Sequence, residues 1–357
     1  MGLEFKRNLS ETVERMKLFW AMEEPEDRVP IQIFVPKPED GTDGLFFGRR
    51  DAYIKNMETY FAEQSKVMDD SIPTVVPQYG HALISALCGS PIKYYNQTVW
   101  SIPIIDDASR ADELYINWDR PWSQKILADY NYLLERSRGR YAVGEYEIEG
   151  ISDTMSALRG AEGVLTDFLV NPVAANKLAS RVTDILIEFA EWNHKHIGSK
   201  QELLGGISTV YRFWMPAKSG VTTEDHMVMV SSQYYEEHVQ QHTARLASSL
   251  TKTLMEIHQE GMHHITAMAE TKGVDLLTCH PFHLNDEQQG AMRRQLGKKH
   301  FRMGCCPDTV YDILAFTGLR GILLCYHAET VRDAENMLAA VEKATQKIKK
   351  QSCGFQS

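Results

Sequence analysis

The chain has 357 residues, and 38 lysines and arginines against 48 aspartates and glutamates leave a net charge of −10, which argues against a nucleic-acid partner. Apolar residues at 43% and charged residues at 24% are the proportions of a soluble globule with a sizeable core, and they exclude a disordered or fibrous chain. No apolar run approaches the roughly 18 residues of a membrane span, and Glu4, Lys6, Arg7, Glu11 and Glu14 interrupt the N-terminal stretch, so a cytoplasmic protein without a membrane segment is expected.

At the start of the chain, helical spacing over residues 11–22, a strand-like run over 29–35, a Gly-rich turn at 41–48 and a second helical stretch over 52–68 suggest an N-terminal cap segment, 1–68, packed on a barrel formed by 69–357. From Gly144 onward, short apolar runs alternate with stretches of helical period, as in parallel βαβ units. Strands are expected at 142–148, 208–214, 253–258, 275–278, 301–304 and 321–325, with helices at 153–170, 174–194, 234–249, 263–271, 286–296, 309–316 and 331–348. Neither Gly-x-Gly-x-x-Gly nor Gly-x-x-x-x-Gly-Lys-Ser/Thr occurs, which removes the usual support for a nucleotide-binding sheet. The expected fold class is therefore α/β, a (β/α)8 TIM barrel with a helical cap.

In such a barrel the C-terminal strand ends converge over the mouth, so what ends each strand matters. Successive expected strands run into His258 and Glu260, Cys279 and His280, Cys305 and Cys306, and Cys325 and His327. Imidazole, thiolate and carboxylate are the groups that bind zinc tetrahedrally. Cys88, Cys279 and Cys306 are equally at home as small packing residues, and the six cysteines are too sparse for a disulfide scaffold. Glu224 and Glu237 fall between the strands expected to end at Trp214 and His258, where a carboxylate can complete a zinc shell or transfer protons. Acidic residues such as Glu236 and Glu237 also suit a solvated helix start. Tyr211, Arg212 and Trp214 offer an aromatic wall and a carboxylate anchor for a substrate.

Several segments carry a family resemblance: Asp70-Ser-Ile-Pro-Thr, Leu87-Cys-Gly-Ser-Pro and Trp100-Ser-Ile-Pro early on; then Leu158-Arg-Gly-Ala-Glu, Asp167-Phe-Leu-Val-Asn-Pro and Ser231-Ser-Gln-Tyr-Tyr-Glu-Glu-His-Val; and last Gly321-Ile-Leu-Leu-Cys-Tyr-His with Ala334-Glu-Asn-Met-Leu-Ala-Ala-Val. In order and spacing these resemble the uroporphyrinogen decarboxylase superfamily, which includes the corrinoid-dependent methyltransferases of anaerobes. The true decarboxylases carry Arg-Gln-Ala-Gly-Arg after their first strand, whereas this chain reads Val35-Pro-Lys-Pro-Glu-Asp-Gly, which disfavours porphyrinogen decarboxylation. The methyltransferase branch often holds zinc with His-x-Cys-Gly and a later cysteine or histidine; the matching positions here are His258-Gln-Glu260-Gly261 and Cys325-Tyr-His327. Some O-demethylase relatives are thought to use two glutamates and a histidine. Glu237, which lies 258 − 237 = 21 residues before His258, fits that variant, with Glu224 an approximate match to its first glutamate.

The resemblance implies a zinc-assisted methyltransferase that moves a methyl group from a small methylated substrate, such as an aromatic methyl ether, to the cobalt of a corrinoid (cobalamin). It implies His258, Glu237, Glu224 and Cys325 as the metal ligands and His327 and Glu260 as catalytic groups, with Tyr211, Arg212, Trp214 and His280 facing the substrate. The Asp-x-His-x-x-Gly cobalamin motif does not occur, so the corrinoid is expected on a separate partner protein; a homodimer is compatible with the same reading. Two other classes stay open: a metal-free decarboxylase-like lyase using Arg49, Arg50 or Arg212 on a carboxylated substrate, and a non-catalytic small-molecule binding barrel.

Overall fold

Parallel strands alternating with helices form the frame of the molecule, seen in a computed structural model that describes residues 2–36, 48–77, 79–95, 98–201, 203–278 and 286–354. The strands of the frame are β1 (Ile31–Phe34), β2 (Thr74–Val75), β3 (Ala142–Val143), β4 (Gly220–Thr222), β5 (Thr253–Met255), β6 (Val274–Thr278), β7 (His300–Gly304) and β8 (Ile322–His327). Six of them make one curled parallel sheet in the order β1-β8-β7-β6-β5-β4, and β2 pairs in parallel with β3. Hydrogen bonds link the two units on both sides: Asp70 N–H donates to the Ile31 carbonyl at 2.8 Å, and Ile148 N–H donates to the Val221 carbonyl at 2.8 Å.

The helices used below are α1 (Leu9–Trp20), α2 (Arg50–Gln64), α3 (Leu83–Cys88), α4 (Pro121–Ser137), α5 (Ile151–Arg159), α6 (Ala161–Val170), α7 (Pro172–His196), α8 (Ser232–His238) and α9 (Gln240–Ser248). The helix expected over 153–170 is two, because Gly160 between α5 and α6 takes φ 97°, which breaks the helical ladder. The segment 1–68 contributes a strand to the sheet. Its strand-like run is β1, in register with β8 from Ile31 opposite Leu324 to Phe34 opposite His327.

One end of the sheet is plugged. Ile72, Ala142, Val221, Leu254, Leu276 and Leu323, from successive strand segments, form a cluster with Leu9, Val13, Met16, Phe19 and Trp20 of α1. The i, i+3, i+4 spacing of the α1 residues gives that helix a single apolar stripe, which it buries here. Leu203, Ile207, Phe213, Trp214 and Met215 complete the cluster, which lies away from the C-terminal strand ends.

Of the residues expected as a strand at 208–214, Ser208 and Thr209 pair in parallel with Glu145, whose N–H donates to the Ser208 carbonyl at 3.0 Å, and the rest form a turn inside this plug. Gly206–Ile207 and Met215–Pro216 pair antiparallel, and between them Arg212 takes φ 57° while its N–H donates to the Thr209 carbonyl at 3.0 Å. Turn geometry outweighs the β-propensity of the aromatic run. Gly206 permits the closure, since a Cβ there would sit 2.2 Å from the Trp214 ring. The strand that enters the sheet is β4, further along the chain.

Candidate active site

Beyond Met255 the chain leaves β5 through Glu256 and Ile257 to His258, which caps the short turn Gln259–His264. His258 Nδ1 lies 2.7 Å from Asp225 Oδ1, and Nε2 lies 3.8 Å from Glu256 Oε1. A carboxylate only accepts, so Nδ1 donates. That hydrogen bond, with the charges of Asp225, Glu256 and Glu260, outweighs partial burial and raises the His258 pKa to about 9, which keeps the ring an imidazolium at neutral pH.

Asp225 is aimed from behind. Asp153 on α5 accepts from Thr223 Oγ1 at 2.7 Å, from Asp225 N at 3.1 Å and from His226 N at 2.7 Å, which fixes the turn that follows β4. Gly150 lets the start of α5 approach this turn, because a Cβ there would stand 2.0 Å from the Thr223 carbonyl oxygen.

Next to His258 lies a polar cluster between the strand ends and the plug. Burial, then the charges of Glu256 and Glu147, raise the pKa of the Tyr211 hydroxyl. Arg302 of β7 lies over the Tyr211 ring at 5.3 Å and donates from Nε to Gln32 Oε1 at 2.8 Å, while Gln32 Nε2 donates to the Tyr211 carbonyl at 2.6 Å. Glu147 joins them. Its Oε1 is buried with no hydrogen-bond partner among the described residues. Burial, then the charges of Glu256 and Asp225, push its pKa up to about 8, so it is mostly a neutral acid at pH 7. It reaches this position because the strand's alternation breaks just before it. Glu145 meets His194 Nδ1 at 3.1 Å and the Tyr146 ring meets Phe189 at 6.4 Å, two successive side chains both on α7.

These shifts have a consequence for stability. Glu145 and Glu147 are raised to about 8 and Glu224 to about 7, each chiefly by burial, against an ordinary 4.5. Each is a raised pKa, so the stability it contributes is fully present below the unfolded value and is lost as pH climbs through the folded one. His258, raised from 6.5 to about 9, acts in the same direction. Burial lowers the pKa of His194, His226, His242, His264 and His300, which opposes this trend up to the ordinary histidine value, so the melting temperature should fall between about pH 6.5 and about pH 8. Scanning calorimetry across that window checks it, and a rising melting temperature would contradict these assignments.

The expected zinc ligands are not brought together. Glu224 is buried at 2% exposure with both oxygens engaged: Oε1 accepts from Thr243 Oγ1 at 2.6 Å and Ile151 N at 3.2 Å, and Oε2 from Ser152 N at 2.9 Å and Ser152 Oγ at 2.6 Å. It ties the first turn of α5 to α9, so its expected role as a ligand is corrected to a structural one. Replacing it by alanine strands those donors in the interior and should cost about 2–4 kcal/mol, read by denaturant unfolding. Glu237 stands on the solvent side of α8, its side chain 54% exposed, and accepts from Gln233 Nε2 at 2.7 Å; it too leaves the ligand set. Cys325 is opposite Gln32 in the sheet, and its carbonyl accepts from Cys305 N at 3.0 Å. Among the described residues no three His, Cys, Asp or Glu side chains stand in a metal-holding arrangement.

The remaining expected residues divide. Tyr211 lies in the cluster. Glu260 is exposed on the turn after His258 and acts on it through charge. His327 ends β8 and stacks on Phe34 at 5.1 Å. Trp214 is corrected from mouth to plug: its Nε1 donates to the Leu203 carbonyl at 2.7 Å, and its own carbonyl accepts from Trp20 Nε1 at 3.2 Å. Arg212 turns to α2, with its guanidinium over Tyr60 at 5.1 Å and Phe61 at 5.9 Å, and is not a carboxylate anchor at the mouth. Arg50 pairs with Asp129 at 2.5 Å, and Arg49 caps α2. His280 and Cys279 lie outside the described residues. Sequence reasoning missed Asp225, Glu256, Glu147, Arg302 and Gln32. Glu256 was within reach, two residues before His258 on the same strand exit.

Beside Asp225 opens a cleft of about 650 Å³ between α3, the hairpin Ile92–Tyr95/Thr98–Ser101, α5 and the turn after β4. Its size suits a small organic ligand.

Neither a family model nor a curated protein matches the sequence. Among solved structures the chain is similar to a methyltransferase from Methanosarcina mazei, at 12% identity and a TM-score of 0.61, over 93% of this chain and 98% of that one. At that identity the likeness is one of fold, and it extends over nearly the full length of both chains.

Proposed function

We propose that this chain is a methyltransferase on a closed (β/α)8 barrel, β1 to β8 in order, that passes the methyl group of a small methylated substrate to the cobalt of a corrinoid carried by a separate protein. The observation that carries this reading is the His258–Asp225 hydrogen bond at the exit of β5, which favours an imidazolium there. The full-length fold likeness and the hydrogen bonds that join β1 to the β2 segment and the β3 segment to β4 support the barrel.

An ether or amine is a poor methyl donor because the departing atom is basic. Protonating it as the carbon–heteroatom bond breaks is worth about a hundred- to ten-thousandfold in rate. His258 Nε2 supplies that proton while Asp225 holds Nδ1, and the demethylated substrate leaves as the neutral alcohol or amine. Tyr211, near Glu256 and with its ring under Arg302, forms the floor against which the substrate is positioned. The zinc set expected from the sequence does not fit this geometry, since Glu224 is saturated and Glu237 faces solvent, so no step is routed through zinc.

The test is methylation of chemically reduced cobalamin by the purified protein with a panel of methyl ethers and methylamines, followed spectroscopically, alongside elemental analysis. Donor-dependent methylation that His258→Ala abolishes is expected. Failure with every donor would sink the reading, and stoichiometric zinc that His258→Ala removes would replace the proton donor with a metal. Arg302 in the cluster favours one second reading, a metal-free lyase that anchors a substrate carboxylate; release of carbon dioxide without methylation would identify it.

A further inference from the structure

The cleft beside Asp225 has a chemistry of its own. Glu149, 3% exposed, accepts from Ile84 N at 3.4 Å with Oε1, while Oε2 is buried with no partner among the described residues. The Nε2 of His226, a residue 9% exposed, is likewise buried without a partner among the described residues. In a neutral imidazole protonated at Nδ1, Nε2 is an acceptor. Both residues line the cleft, together with the carboxyls of Asp153 and Asp225, and no lysine or arginine is among the described residues around it. Trp100 at 60% exposure and Met229 at 58% form an apolar wall.

We infer that this cleft binds a ligand carrying a primary or secondary ammonium on an apolar body. Buried acceptors left without donors are costly, and an N–H-bearing cation supplies the donors and the charge together. The indole face of Trp100 favours a cation nearby and accommodates the apolar remainder. A quaternary ammonium, which has no N–H, would leave Glu149 and His226 unsatisfied. Burial raises the Glu149 pKa and lowers that of His226, and an ammonium seated against them would favour the Glu149 carboxylate while His226 stays a neutral base. The inference stands on the cleft alone and does not depend on methyl transfer.

The experiment is isothermal titration calorimetry of the full-length protein, without corrinoid, using 2-phenylethylamine as probe and 2-phenylethanol, 3-phenylpropionate and the N,N,N-trimethyl analogue of the amine as matched comparisons. Saturable binding of the amine, weaker by at least roughly tenfold for each comparison, is expected. Glu149→Gln should weaken the amine by roughly ten- to a hundredfold and leave the alcohol unchanged. Trp100→Ala, an exposed position that tolerates change, provides a second variant and should also weaken the amine. Alcohol or trimethyl analogue binding as tightly as the amine, no saturable amine binding, or amine affinity unaltered in both variants would overturn the inference.

Discussion

Replacing His258 by alanine should lower kcat for methyl transfer by about a hundred- to ten-thousandfold, the usual worth of a positioned general acid. The side chain is 50% exposed, so little packing is lost and folding should be preserved. The pH profile separates this role from a structural one. With its pKa near 9, His258 keeps its proton across the neutral range, so the wild-type rate should fall only as pH rises through about 9. Asp225→Asn removes the largest cause of that elevation. Its alkaline limb should move down towards the ordinary histidine value of about 6.5, leaving the variant active in mild acid and slow at neutrality. An alkaline limb that stays in place in Asp225→Asn, or a His258→Ala enzyme within a few-fold of wild type, would remove His258 from the chemistry.

Trp214→Ala carries the largest stability effect and should cost about 3–5 kcal/mol. The ring is 5% exposed in the plug, its Nε1 satisfies the Leu203 carbonyl, and Gly206 is shaped to receive it, so truncation leaves both a cavity and an unpaired acceptor. A lower denaturant midpoint at unchanged slope would register the loss. Under the sequence-based expectation Trp214 touched substrate and its removal would chiefly weaken substrate binding. A stable Trp214→Ala protein with a raised KM would restore that view. Glu237→Ala, on the solvent face of α8, is the matched control and should change stability by less than about 0.5 kcal/mol.

The strands at 253–258, 275–278, 301–304 and 321–325 were legible because parallel buried strands are continuous apolar runs, close to the observed β5 to β8. Gly220–Thr222 escaped notice because three residues give no period to read, while the neighbouring aromatic run imitated a strand. That exchange moved Trp214 and Arg212 from the mouth to the plug and to α2. His258 was legible from its place at a strand exit. Asp225 was hidden because the choice between it and adjacent Glu224 depends on which side of a turn each takes, and Asp153 decides that from another helix. Glu147 was hidden by the broken alternation at Glu145 and Tyr146, which no pattern of period two can express.

The pairing of β1 with β8 joins distant parts of the sequence: Ile31 meets Leu324 across 324 − 31 = 293 residues. No ribosome-bound intermediate can make that contact until β8 has been synthesised. Contacts so distant in sequence make folding slow, and a nascent chain would meanwhile expose an apolar strand edge able to pair with a neighbour. Heterologous expression should therefore respond to slower translation and lower temperature more than to any improvement of the site, and truncation before β8 should yield an aggregating protein.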